Sequence, residues 1–167
     1  MKPKAATVAD RSTLDYYDSQ AINVARTITA LEAWTIITEQ TSPLMRLAFR
    51  IRDAISTVFG VRRIEGFSGA RWDNVSVGDH LDFFLVENIQ PDILVLTARD
   101  RHLDVMTCVT TSTDSVSITA SVITKNIFGK FYMLPVGLAH RRIVRNSLRK
   151  LKQSLDGDPT RTRSAGG

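Results

Sequence analysis

Between Gly66 and Lys125 the apolar positions recur every second residue and β-branched side chains dominate, the pattern of successive antiparallel strands rather than of strand–helix–strand units. Val116-Ser-Ile-Thr-Ala-Ser-Val122 alternates strictly, which predicts one face in the core and one open to water. Leu81 to Val86, Ile93 to Ala98 and Leu103 to Thr110 also read as strands. Gln90-Pro91-Asp92, Arg99-Asp100 and Ser112-Thr113-Asp114 separate the later ones as turns. Upstream, Thr13 to Ile22 reads as a first extended segment, and Thr29-Ala-Leu-Glu32 has the spacing of a capping box at the start of a short helix. A second helix is marked by Ser42-Pro43 at its start and Gly60 at its end. Leu44, Leu47, Ala48, Ile51, Ile55, Val58 and Phe59 form its inward stripe.

From about Tyr132 to Leu155 the period returns to that of a helix. Val136, His140, Ile143, Ser147, Leu148, Leu151 and Leu155 line one side, Arg141, Arg145, Arg149 and Lys152 another, and Pro135 and Gly137 disturb the first turns. The order predicts an α+β domain of helix-grip type: an antiparallel sheet curved around a long C-terminal helix, with two shorter helices near the N-terminus. One domain is expected over 13–155. Residues 1–12 and 156–167 carry too little apolar surface to offset the entropy of ordering and are expected to be flexible tails.

Composition narrows the class. The 167 residues are 43% hydrophobic and 23% charged, with a mean hydropathy of -0.06, enough for one core and too polar for a bilayer. No charge-free stretch approaches the roughly 20 residues of a membrane span, and the N-terminus lacks the apolar run of a signal peptide. A lone cysteine, Cys108, excludes an internal disulfide, and a soluble cytoplasmic protein is expected. The net charge of +5 is unevenly placed: residues 141–167 hold eight basic and two acidic groups, the rest 14 and 15. A basic helix and tail open the class of modules that bind nucleic acid or anionic lipid. That class ranks lowest, because no aromatic residue interleaves with Arg141 to Lys152 and a solvated helix face accounts for them.

Candidate chemistry is sparse. No phosphate-binding glycine loop, nucleophile elbow or dinucleotide fingerprint occurs, so no cofactor is expected. His80, His102 and His140 are not spaced as metal ligands, and no metal is expected. The tripeptide His-Leu-Asp occurs twice, at 80–82 and 102–104. In a strand, residues two apart share a face, so His102 and Asp104 form either a carboxylate-oriented general base or a satisfied polar edge. His140, on the apolar side of the last helix, is either hydrogen-bonded in the core or exposed to a cavity behind it. Lys125, Asn126, Gly129, Lys130 and Tyr132 gather polar groups where sheet passes to helix.

Asp100-Arg-His-Leu-Asp104, then Thr124-Lys-Asn-Ile-Phe-Gly-Lys-Phe-Tyr132, then His140-Arg-Arg-Ile-Val-Arg145, resemble a bacterial family of domains of unknown function. Its pattern has a D-x-H-L-D strand, an H-N-x-x-G-R-x-Y turn and a P-F-H lead-in to the final helix. The family is similar to the helix-grip superfamily of START lipid carriers, birch-pollen-allergen-like proteins and polyketide cyclases. The resemblance implies a pocket between sheet and last helix, with His102, Asp104, Asn126, Gly129, Lys130, Tyr132 and His140 as its site. Lys125 replaces the family's histidine, Lys130 its arginine, and Leu138-Ala139 its Pro-Phe. The expectation is a protein that binds a small, mostly apolar or amphipathic molecule, with homodimerisation allowed. The alternative is a cyclase- or isomerase-type enzyme in which His102 or His140 is the base, Asp104 orients it, and Tyr132 or Lys130 stabilises an oxyanion.

Overall fold

In a computed structural model, residues 3–39, Arg46 and 67–157 are described. Apart from Arg46, the expected helix over 42–60 lies outside these residues, as does most of the expected C-terminal tail. The order is β1 (Tyr16–Asn23), α1 (Ala30–Glu39), β2 (His80–Leu81), β3 (Phe84–Gln90), β4 (Ile93–Arg99), β5 (Leu103–Thr111), β6 (Ser115–Thr124) and α2 (Ile127–Asp156). Among the described residues all pairings are antiparallel, in the spatial order β1-β6-β5-β4-β3-β2. The α+β class read from the sequence therefore holds, and a six-stranded sheet with a long closing helix is consistent with the helix-grip expectation.

The alternation in β6 has the predicted consequence for its core face but not for the face expected to be wet, which is covered. Val116 and Ile118 join the core shared with α1 and α2, while Ser117, Thr119 and Ser121 face the other way and are nevertheless buried. Residues 3–10 account for part of that cover. Ala5, Ala6 and Val8 pack on Val95, Met106 and Cys108, the Ala6 N–H donates to Cys108 Sγ at 3.3 Å, and the Val8 N–H donates to Ser121 Oγ at 2.9 Å. Ser19 and Thr119 hydroxyls bond across β1 and β6 at 2.8 Å. Burial pushes the Cys108 thiol up from its ordinary value, so it remains a protonated core residue at neutral pH.

Three boundaries differ from the periodicity. The first strand begins at Tyr16, because Arg11–Thr13 close a 3-10 turn through the Thr13 N–H on the Asp10 carbonyl. The expected strand Leu81 to Val86 is two strands split by a tight turn, in which Asp82 takes a φ of 56°. Aspartate tolerates this left-handed conformation, and Asp82 Oδ1 also accepts the Ser68 N–H. The last helix starts at Ile127, a turn and more before Tyr132, because Asn126 caps it: its Oδ1 accepts the Gly129 N–H at 3.0 Å. Pro135 sits inside the helix on an exposed side, where water can serve the carbonyl one turn back that proline leaves without a donor.

Candidate functional site

The junction of β6 with α2 is built from three hydrogen-bonding side chains. Asn126, facing the Gly129 N–H with its oxygen, must turn its amide nitrogen the other way, where it donates to the Arg101 carbonyl at 3.2 Å and to His102 Nδ1 at 2.8 Å. His102 Nδ1 is thus the acceptor, and the neutral ring carries its proton on Nε2. That Nε2 is buried without a hydrogen-bond partner, beside the Phe128 ring, which meets the imidazole edge-on at 4.7 Å between centroids. Asp100 Oδ1 accepts the N–H groups of His102 and Leu103, which fixes the chain just ahead of β5.

The His102–Asp104 pair expected from a shared strand face does not form, because β5 begins at Leu103 and His102 lies in the bend before it. Lys125 takes the carboxylate instead: its Nζ is 2.6 Å from Asp104 Oδ1 and donates to the Asp100 carbonyl at 2.8 Å. Lys125 thus engages the carboxylate expected to orient His102. In the earlier tripeptide His80 is exposed and Asp82 is engaged with Ser68, so neither His-Leu-Asp is a dyad.

His140 belongs to a second cluster. Tyr16 on β1 donates its hydroxyl to the Gly137 carbonyl at 3.2 Å and lies 3.4 Å from His140 Nδ1, with the two rings edge-to-face at 5.8 Å. With the phenol proton spent on Gly137, His140 Nδ1 is the donor and Nε2 the acceptor. Gly137 is required for this contact, since a Cβ there would stand 2.9 Å from the Tyr16 ring. Burial, reinforced by Asp18, raises the Tyr16 phenol above its ordinary value. Asp18 is held by Gln20 at 2.6 Å and by Arg141 at 3.5 Å. Phe128 and His140 are about 18 Å apart along the helix at 1.5 Å per residue, so one shared acid–base centre is not assembled from His102 and His140. Of the remaining candidates, Gly129 is buried at the junction, Lys130 is exposed, and Tyr132 is half-buried and stacked on Phe128.

Burial lowers the His140 imidazole below its ordinary value, and the nearby Asp18 carboxylate only partly opposes this. Below about pH 6.5 the unfolded chain therefore binds a proton that the folded chain resists. Stability contributed by the neutral ring is complete above that pH and falls as pH drops through it. In thermal melts from pH 8 to 5, His140→Gln should flatten this decline; an unchanged slope would show that the ring is not desolvated.

Among the described residues an open cleft of about 620 Å³ lies at the other end of the sheet, lined in part by Thr29, Glu32, Pro91, Asp92, Ser112 and Asp114. Its polar groups are largely engaged: Glu32 with Arg26, Ser112 with Asp114 and Ser115, and Thr29 Oγ1 with the Glu32 N–H. None of the candidate site residues read from the sequence (His102, Asp104, Asn126, Gly129, Lys130, Tyr132 and His140) lines it. Among the described residues no three His, Cys, Asp or Glu side chains group as metal ligands, and no helix is long and apolar enough to cross a membrane.

A model of the family described as Protein of unknown function (DUF2867) matches residues 11–147. The chain belongs to this family. The DUF2867 match runs from the turn before β1 through both polar clusters and into the second half of α2. It bears out the expectation of a domain family of unknown function. Among curated proteins, none matches the chain. A hypothetical protein from Helicobacter pylori, known from a crystal structure at 1.88 Å resolution, is 15% identical over 93% of this chain and 99% of its own, with a TM-score of 0.42. That is a loose likeness from which nothing about function follows.

Proposed function

We propose that this DUF2867 protein binds a small, mostly apolar molecule between the sheet and the first half of α2, in the manner of the helix-grip carriers its sequence resembles. The observation that carries the reading is a change in burial along one face of the helix. Met133 and Leu151 are eighteen residues apart, about five turns, and so point the same way. Leu148, Leu151 and Leu155 are buried, whereas Met133, Val136 and His140 on the same side keep partial exposure. Inward-facing apolar side chains that remain reachable mark a space suited to an apolar guest. His140 Nε2 offers an acceptor at its edge, and Asn126 and Gly129 serve as positioning residues that set where the helix leaves the sheet.

Saturable binding of the fluorescent fatty acid cis-parinaric acid tests this. Wild-type protein should bind one equivalent, and Val136→Trp, whose ring would occupy the space, should weaken binding at least about tenfold, the effect of losing one well-buried apolar contact. Circular dichroism and the urea midpoint should hold. No saturable binding by the wild type, or equal binding by the variant, overturns the reading.

A further inference from the structure

The opposite face of α2 is exposed and apolar over its first three turns. Ile127, Phe131, Leu134 and Leu138 are 73%, 67%, 67% and 71% exposed, and their spacing of four, three and four places them in one stripe. Large apolar side chains scattered singly on a surface need no explanation, but four aligned ones do. The stripe then changes character without changing direction. Arg145, Arg149 and Lys152 stand eighteen residues beyond Ile127, Phe131 and Leu134, about five turns on the same azimuth. Arg141 and Arg142 flank them. Between Asn126 and Leu155 there is no acidic residue, and among the described residues Arg141 alone of the five cations is ion-paired, to Asp18.

We infer that this face docks on an anionic lipid surface, the apolar first half of α2 entering the interface and the cationic second half resting on the headgroups. The juxtaposition is that of an in-plane interfacial helix, where affinity grows with buried apolar area and with attraction to anionic lipid. Arginine and lysine stems can lie along the interface while their charges stay at the headgroups. A second copy of the chain fits less well, since facing α2 against α2 brings two acid-free cationic stripes together. Nucleic acid fits less well too, because phosphate contacts would leave Ile127, Phe131, Leu134 and Leu138 without an apolar partner. The face is turned away from the sheet, so the inference stands apart from ligand binding beneath the helix.

Cosedimentation of the full chain with vesicles tests it. One part phosphatidylglycerol in two parts phosphatidylcholine should bind the protein, and pure phosphatidylcholine should bind it weakly. Phe131→Ser with Leu134→Ser should lower partitioning by more than about tenfold, as expected for two interfacial apolar side chains. Arg145→Ala and Arg149→Ala should each lower it about fivefold, with a steep loss at high salt. All four positions face solvent, so circular dichroism and the urea midpoint should not move. Equal binding to neutral vesicles, no binding to anionic ones, or full binding by the Phe131/Leu134 variant overturns the proposal. So does a concentration-dependent dimer that the same variant dissolves, or salt-sensitive binding to nucleic acid that the variant retains in the absence of vesicle binding.

Discussion

Gly129→Ala is expected to destabilise the fold by about 3 kcal/mol, although alanine is the better helix former by about 1 kcal/mol. A Cβ at this position would stand 2.6 Å from the His102 carbonyl oxygen, 3.1 Å from Leu103 Cδ2 and 3.3 Å from Thr124 Cβ. The first of these is backbone, held by the Lys125 N–H it accepts and by the Asp100 carboxylate that fixes the His102 and Leu103 N–H groups. It cannot swing aside as a flexible side chain would. Relief requires the helix start to lift from β5, which lengthens the Asn126 bonds to Gly129, Arg101 and His102 together. The clash therefore outweighs the propensity gain several-fold. Urea unfolding should show a lower midpoint with an unchanged slope. Gly78→Ala supplies the comparison: at a φ of 96° with nothing within 4 Å it should cost only backbone strain, about 1 kcal/mol. Equal losses at the two glycines would mean that close packing at the junction is not what Gly129 serves.

The parts legible in the sequence are those where one local signal acts alone. The core face of Val116 to Val122, the capping spacing at Thr29, where Thr29 Oγ1 does accept the Glu32 N–H, and the turn residues between β4, β5 and β6 have their expected consequences. The other face of β6, expected to be wet, is buried, in part by residues 5–8, a contact that no pattern within the strand encodes. The errors fall where two signals compete. Periodicity starts the last helix near Tyr132, with Pro135 and Gly137 disturbing its first turns, but the Asn126 cap and the close approaches at Gly129 and Gly137 carry it back to Ile127. His-Leu-Asp was legible as a polar pair but not as a broken one, because the partner that takes Asp104 is Lys125, twenty-one residues on. The Tyr16–His140 contact spans 124 residues, and no local pattern encodes it. The apolar stripe of α2 is invisible for a simpler reason: a helix read from Tyr132 leaves out Ile127 and Phe131, and Leu134 and Leu138 alone are too few to define a face.

Leu151→Ala should cost about 2–5 kcal/mol, the range for a core leucine whose surroundings cannot collapse into the gap. Leu151 is 1% exposed and lies among Val144, Leu148 and Leu155, which with Ser147 are the residues buried in the second half of α2. The first half buries only Gly129 and Gly137. One end of a 30-residue helix thus carries nearly all of its apolar anchorage, while the other is located by a cap and by two close backbone approaches. Leu134→Ser, one face away, should change stability by less than about 0.5 kcal/mol, as exposed substitutions do. The same asymmetry has a dynamic consequence. Amides of residues 131–140 should exchange with solvent faster than those of 144–155, since local opening of the first half breaks few apolar contacts. Leu151→Ala should accelerate exchange in the second half and leave the first nearly unchanged, because it lowers the free energy of global unfolding that protects only the second. Slow, uniform exchange along the whole of α2 would contradict this division. A helix held at one end and lightly seated at the other can admit a guest beneath it or present its outer stripe without unfolding the domain.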